Sequence, residues 1–287
     1  MAGKRWSEYT ELERAAMSES ISEGVRAAWA RRTESERAAI GSRISESNKA
    51  TNLQKIMSTP PLVVPEGFGE WFTGFWEGDG TVLCWDTIIG CWNVFRTYIS
   101  IQQKDSSVLE YIRSVLGYGT LFTRGDGGTQ IAFESQKRCY PLLKLISGCV
   151  VSEHSRRRLE PVLTRLKMPL AEAHEPTVSW IAGFWEAEGS ASVMDEYGSM
   201  KVYIAQKERF VLEEIQKVVG GNLRWVEQSG AHHLVMYGDI ARSFAESILP
   251  FVVGNYKHYQ LELCVRARDV ARSARGAVES SNWRVTK

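Results

Sequence analysis

The chain has 287 residues, of which 44% are hydrophobic and 24% charged, as expected for a globular protein with a sizeable core. No apolar run is long enough to span a bilayer, and the N-terminal MAGKRWSEYTELER lacks the apolar core of a secretory signal. The five cysteines are widely spaced and include no Cys-x-x-Cys pair, which argues against a disulfide framework or a cysteine zinc site. These features favour an intracellular protein.

The net charge of +1 says little by itself, but the charges are unevenly distributed. Residues 137–167 carry eight Lys or Arg against two acids, and residues 255–287 carry seven against three. Basic patches of this kind suit phosphate binding, because each neutralised phosphate releases counterions. A pair of solvated helix faces is the simpler alternative.

The first 57 residues contain an internal repeat, with TELERAAMSESISE at 10–23 and TESERAAIGSRISE at 33–46. Thr10 and Thr33 each precede a glutamate by three residues, which predicts a capped helix start. A later Ile-Ser-Glu in each unit predicts a second start, so we expect two short helices per unit. The repeats resemble the small nuclease-associated modular DNA-binding repeats. A weakly ordered amphipathic arm is the alternative.

The rest of the chain is predicted to be a duplication. Residues 58–67 contain three prolines and read as a linker. Two halves of the same plan follow at 68–168 and 177–272, joined by a second linker at 169–176, and residues 273–287 form a basic C-terminal tail. Each half reads as a helix, two strands, a helix, two strands and a helical end, in the order αββαββα. The helical ends are predicted as two helices each, at about 136–148 and 154–166 and at about 239–250 and 256–270. This is an α+β fold with internal symmetry.

Both halves begin with nearly the same phrase, WFTGFWEGDG at 71–80 and WIAGFWEAEG at 180–189. Each copy has two small residues four positions apart, although glycine within a helix costs about 1 kcal/mol relative to alanine. Close approach of a second helix is the usual reason. We therefore expect the two helices to pack on each other, which brings Asp79 and Glu188 together at their C-terminal ends.

Two carboxylates at the negative ends of two helix dipoles repel each other. A divalent cation relieves this repulsion, and Mg²⁺ often binds through one or two carboxylates with phosphate and water completing its shell. A metal held between carboxylates suits phosphodiester hydrolysis, because it activates water and stabilises the leaving oxygen.

The two phrases resemble the signature helices of the LAGLIDADG homing endonucleases in their single-chain form, and the resemblance covers about residues 68–272. It implies a duplicated αββαββα fold in which two antiparallel sheets form a DNA-binding saddle, preceded here by a small helical extension. The implied protein is a monomer with a pseudo-two-fold axis. It would cut double-stranded DNA at a long, non-palindromic site.

The resemblance implies catalytic roles for a small set of residues: Asp79, Glu188, Gln103, Gln206 and Lys257. The two acids would bind Mg²⁺; Mn²⁺ is expected to substitute, and Ca²⁺ to bind without supporting cleavage. The glutamines would order water, or they simply end a strand. The basic position of the first half falls on Ser155 beside Arg156, so it stays unassigned. The earlier acids of the phrases, Glu77 and Glu186, are interpreted as structural.

The strand NVFRTYISIQ alternates between apolar and polar residues, which predicts an apolar back and a polar face suited to base edges. The alternative is a solvent-exposed sheet surface that binds no partner. The residues expected to read bases are Arg96, Tyr98, Ser100, Gln102, Arg124, Lys201, Tyr203 and Arg224. Those expected on phosphates, or on solvated helices, are Arg156, Arg157, Arg158, Arg266 and Arg268.

Several alternatives stay open. The same fold could serve as an RNA maturase that binds its intron, or as a DNA-binding regulator that does not cut. An unrelated α+β enzyme with a duplicated core is a further alternative. The excess of arginine over lysine hints at a bacterial or phage cytoplasm over an organelle, and no splicing residues flank the halves, so an intron-encoded or free-standing protein is expected. Glu188 in place of an aspartate predicts unequal cutting of the two strands.

Overall fold

The computed structural model describes residues 10–89, 92–194 and 199–266. The expected basic tail at 273–287 and Arg268 lie outside these residues. The chain divides into two compact units, and each is described by itself. None of the helices in the described ranges is long and apolar enough to cross a membrane.

The first unit contains α1 (Glu11–Ala30) and nearly all of α2 (Glu34–Met57). The start of α2 is a capping box: the N–H of Thr33 donates to Glu36 at 2.8 Å, and the N–H of Glu36 donates to the Thr33 hydroxyl at 3.3 Å. This prediction is confirmed. The prediction of two short helices per repeat is wrong, because each repeat lies in one continuous helix. Alanine-rich neighbours carry the helix through the Ile-Ser-Glu segments.

The second unit holds the two halves. The first half consists of α3 (Phe68–Asp79), β1 (Gly80–Ile89), β2 (Trp92–Gln103), α4 (Ser106–Leu116), β3 (Thr120–Thr123), β4 (Thr129–Glu134), α5 (Gln136–Ser147) and α6 (Glu153–Arg165). The second half consists of α7 (Val178–Glu188), β5 (Gly189–Val193), β6 (Met200–Gln206), α8 (Arg209–Val219), β7 (Asn222–Val226), β8 (Ala231–Tyr237), α9 (Gly238–Ile248), a 3₁₀ turn (Leu249–Phe251) and α10 (255–266). The predicted order holds, including the two helices expected at the end of each half.

Each half contains a four-stranded sheet, with strand orders β1-β2-β4-β3 and β5-β6-β8-β7. The two sheets have the same register, since Gln103 pairs with Thr129 in the first and Gln206 pairs with His232 in the second. In β2 the side chains of Ile99 and Ile101 are fully buried, which confirms the predicted apolar back of this strand.

Helices α3 and α7 pack directly on each other at the centre of the second unit. A Cβ atom added to Gly74 would lie 2.1 Å from the carbonyl oxygen of Trp180, and one added to Gly183 would lie 2.0 Å from that of Trp71. No other residue fits at these two positions without moving a helix. The aromatic residues of the two phrases form the surrounding core, in which Phe72, Phe75, Trp76, Trp180, Phe184 and Trp185 are at most 1% exposed.

Candidate metal and catalytic site

The two helices end at Asp79 and Glu188, so their crossing brings both acids to one place. The glycine after each acid begins a strand, and its N–H donates to the carbonyl of Trp76 or Trp185. A Cβ atom on Gly80 would lie 2.1 Å from the Trp76 ring. This tryptophan contact explains why a glycine follows the acid.

The acids form a partly buried pair of like charges. Burial, together with the charge of Glu188, raises the pKa of Asp79 to about 7. Burial also raises the pKa of Glu188, against the opposing effect of Lys257. A cation bound between the carboxylates would offset this penalty, so the oxygen donors fit a hard divalent ion such as Mg²⁺. Within the described ranges no third His, Cys, Asp or Glu joins the pair.

A glutamine from the sheet contacts each acid. Gln103 Nε2 donates to Asp79 Oδ2 at 2.6 Å, and Gln206 Nε2 lies 3.4 Å from Glu188 Oε1. Each glutamine oxygen accepts from the N–H of the lysine that follows it, which fixes the side-chain amide. The glutamines therefore do more than end a strand, since they orient the acids. Their role in ordering water stays a prediction.

One basic residue per half contacts the peptide that follows the acid. Lys257 Nζ donates to the carbonyl of Gly189 and lies 5.3 Å from the centre of the Trp185 ring. Arg158 Nη2 donates to the carbonyl of Gly80 at 2.7 Å, with its guanidinium 5.1 Å from the Trp76 ring. Arg158 is thus the counterpart of Lys257.

Sequence alignment points to Ser155 instead, but Ser155 is fully buried and lies one turn earlier on α6. Side chains on a helix lean towards its N-terminus, and arginine is long enough to bridge that turn. The basic residue of the first half is therefore identified by how far its side chain extends towards Gly80, and not by its aligned position in the sequence. A search for an arginine within one turn of the aligned serine could have found it.

Glu77 and Glu186 are buried beneath the acids. Glu77 accepts from the N–H groups of Val151 and Ser152 at 2.8 Å and from the indole of Trp180 at 3.2 Å. Glu186 accepts from the N–H groups of Val253 and Gly254 and from the indole of Trp71. Burial raises the pKa of each to about 7, although the N–H donors favour the ionised form. These contacts support the structural interpretation.

Most residues expected to read bases lie on the outward faces of the sheets. Arg96 and Gln102 are exposed, and Lys201 and Tyr203 are partly exposed beside each other, with Lys201 Nζ 5.1 Å from the Tyr203 ring. Tyr98 is partly exposed and Arg224 is exposed. Ser100 is only 2% exposed, because its short side chain lies below its neighbours, so it is not available for a contact.

Arg124 and Arg224, both expected to read bases, do not occupy equivalent places in the two sheets. Arg124 lies beyond the end of β3, where its Nε is 3.4 Å from Asp126 in the turn. Phe122 pairs with Gln130 of β4, and Arg224 pairs with His233 at the corresponding position of β8. An exposed phenylalanine therefore occupies in the first sheet the place that Arg224 has in the second. Leu83 and Trp85 are also exposed on β1 of this sheet and were missed, because the run Val82-Leu83-Cys84-Trp85 is continuously apolar and does not show which side chains face outward.

The three consecutive arginines near the start of α6 differ in their contacts. Arg156 donates to the carbonyl of Ala171 at 2.8 Å, and Arg158 is engaged at the acid site, so neither side chain extends outward to a phosphate. Arg157 is 77% exposed and pairs with Glu153 at 2.6 Å. In α10, Arg266 pairs with Glu262 in the same way. Phosphate contact stays a prediction for Arg157 and Arg266, and for Arg268, which lies outside the described residues.

No family model matches this sequence. Among solved structures, the chain is similar to the LAGLIDADG meganuclease I-AabMI bound to uncleaved DNA, with 16% identity over 72% of this chain and 92% of that one and a TM-score of 0.52. A double mutant of I-SmaMI matches with 16% identity, coverage of 75% and 95%, and a TM-score of 0.52. The LAGLIDADG homing endonuclease I-SmaMI bound to cleaved DNA matches with 16% identity, coverage of 75% and 93%, and a TM-score of 0.50.

The second unit therefore has the LAGLIDADG homing endonuclease fold, as its sequence predicted. At this identity the similarity concerns the fold. The activity has to be argued from the side chains of this chain.

Proposed function

We propose that this protein is a site-specific, metal-dependent endonuclease that cuts double-stranded DNA. The observation that carries the proposal is the partly buried pair of Asp79 and Glu188 at the ends of two crossing helices, where the charges are costly unless a cation binds. The fold adds support, since similar proteins have been solved with uncleaved and cleaved DNA.

The roles follow from the contacts. Asp79 and Glu188 would hold Mg²⁺, for which Mn²⁺ substitutes, whereas Ca²⁺ supports binding without cleavage. The bound metal would activate a water molecule and stabilise the leaving oxygen of the scissile phosphate. Gln103 and Gln206 orient the two carboxylates, and Lys257, with Arg158 in the other half, places a positive charge next to each acid.

The outward faces of the sheets would bind the DNA. The first carries Leu83, Trp85 and Phe122 in addition to Arg96 and Gln102, whereas the second carries Lys201, Tyr203 and Arg224, so the two faces present different chemistry. Two unlike faces suit a long, non-palindromic target bound by a monomer with internal pseudo-symmetry. The helices α1 and α2 would extend the contact with DNA. A bacterial or phage cell interior is the proposed location.

Sequencing of new DNA ends tests the proposal. A large randomised DNA library is incubated with the protein and Mg²⁺, and separately with Ca²⁺. We expect ends at one long site with Mg²⁺ and none with Ca²⁺. DNA that is protected without new ends in either metal would contradict cleavage and favour a regulator. Selective binding of a structured intron RNA, without DNA ends, would favour a maturase.

Metal binding is expected to depend on pH through Asp79. Its pKa is raised to about 7, so below pH 7 a proton must leave before the metal binds. The apparent affinity for Mn²⁺ should therefore fall by up to about tenfold per pH unit below 7 and level off above it. Calorimetric titration of the DNA-free protein with Mn²⁺ between pH 6 and 8 measures this. An affinity that stays constant over this range would contradict the prediction.

A further inference from the structure

The last helix of each half begins with N–H groups that are bonded by side chains from both halves. The first turn of a helix leaves four N–H groups without partners inside the helix. At the start of α10, the N–H groups of Val253 and Gly254 donate to Glu186 of the same half. The next two donate across the pseudo-two-fold axis: Asn255 N–H to the Ser107 hydroxyl at 3.0 Å, and Tyr256 N–H to Asp105 Oδ2 at 2.9 Å.

The start of α6 repeats this arrangement with the halves exchanged. Glu77 of the same half accepts from the N–H groups of Val151 and Ser152. Glu208 of the other half accepts from the next two, those of Glu153 at 2.9 Å and His154 at 3.4 Å. The same pattern of hydrogen bonds between the halves occurs twice, which argues against a chance contact.

The cross-half acid at the start of α10, Asp105, is fixed in place and charged. Asp105 uses both carboxylate oxygens, since Oδ1 accepts from the N–H and the hydroxyl of Ser107 while Oδ2 accepts from Tyr256. Burial opposes ionisation, but these hydrogen bonds lower the pKa of Asp105. A negative charge at the start of α10 also interacts favourably with the dipole of that helix.

These helix starts support the basic residues of the site. Lys257 follows directly on Tyr256 and donates to the carbonyl of Gly189, next to Glu188. Arg158 lies on α6 shortly after His154 and donates to the carbonyl of Gly80, next to Asp79. A shift of either helix start therefore moves a cation relative to a catalytic acid. Misplacement of a reacting group by 1 Å can reduce a rate by roughly a hundredfold.

We propose that each half of the site is positioned in part by the opposite half, with Asp105 and Trp71 as positioning residues for Lys257, and Glu208 and Trp180 as positioning residues for Arg158. The tryptophans act through Glu186 and Glu77, to which their indole groups donate across the axis at 3.2 Å. The inference rests on the proposed endonuclease function. Neither half would then form a complete site alone.

Double-mutant cycles on single-turnover cleavage test this coupling. Asp105→Asn leaves one oxygen where two are used, and we expect it to slow cleavage about tenfold, as loss of a supporting hydrogen bond does at metal sites. Combined with Lys257→Ala it should add little further loss, whereas combined with Arg158→Ala it should contribute its full effect. Glu208→Gln should show the reverse pattern, coupling to Arg158 and adding fully to the Lys257 variant.

The main alternative explanation is that Asp105 acts on Gln103 of its own half, which lies only two residues earlier in the sequence. Coupling of Asp105→Asn to Arg158, or additivity in every combination, would overturn the proposal. A purely structural role would give additivity together with a lower melting temperature. If Asp105→Asn does not fold, Trp71→Phe removes the indole donor while keeping a six-membered aromatic ring, and it should couple to Lys257 in the same way. Wild-type protein that does not cleave would refute the endonuclease itself, a separate outcome.

Discussion

Substitution of Asp79 with asparagine is expected to abolish Mg²⁺-dependent cleavage while DNA binding in Ca²⁺ stays within about twofold of wild type. The change removes one of the two carboxylates proposed to hold the metal and leaves the side chain nearly isosteric. Because the metal contributes several kcal/mol to charge stabilisation in the transition state, we expect a loss of about a thousandfold or more. Strand-resolved, single-turnover cleavage of the selected target measures it.

Glu110→Gln provides the control, since Glu110 is an exposed acid on α4 and its loss changes the net charge equally. This variant should cleave like wild type. Asp79→Asn protein that keeps more than about a tenth of the wild-type rate would contradict a metal-binding role for Asp79. Loss of both binding and cleavage would indicate damage to the fold instead.

Substitution of Gly74 with alanine is expected to destabilise the second unit by about 3 kcal/mol or more. The new methyl group would lie 2.1 Å from the carbonyl oxygen of Trp180, so the two central helices must separate. Overpacking of a core costs about 1–3 kcal/mol, and a clash with backbone belongs at the upper end of this range. Gly183→Ala should behave alike, since its methyl group meets the Trp71 carbonyl. Urea unfolding followed by tryptophan fluorescence measures the free energy.

Gly41 provides the matched control for these glycines. It lies within α2 and has no neighbouring atom within 4 Å of an added Cβ. Gly41→Ala should leave the second unit unchanged and stabilise its own helix by up to about 1 kcal/mol. Equal, small effects of alanine at positions 41 and 74 would show that the close helix crossing does not occur.

The duplication and the position of the acids could be predicted because their causes are local. Neighbouring residues determine the period-two alternation of buried and exposed side chains in β2. They also determine the end of α4, where Gly117 adopts the left-handed conformation. The juxtaposition of Asp79 and Glu188 followed from the small residues of two repeated helices, since glycine at such a spacing requires a close partner.

Features that depend on reach across space could not be predicted in this way. Arg158 takes the place of Lys257 from one turn further along α6, so an aligned position cannot reveal it. In the first sheet Phe122 occupies the place that Arg224 has in the second. This depends on how β3 pairs with β4, and the pairing leaves Arg124 beyond the end of β3. The continuous helix α1 shows that a capping pattern inside an alanine-rich segment does not stop a helix.

Anomalous scattering from Mn²⁺ in crystals of the protein tests most directly whether the two helix ends form one metal centre. At pH 8, where Asp79 is ionised, we expect Mn²⁺ density in contact with the carboxylates of both Asp79 and Glu188, and its loss in Asp79→Asn. Mn²⁺ bound only elsewhere, with Lys257 alone neutralising the acids, would contradict a metal-dependent nuclease at this site.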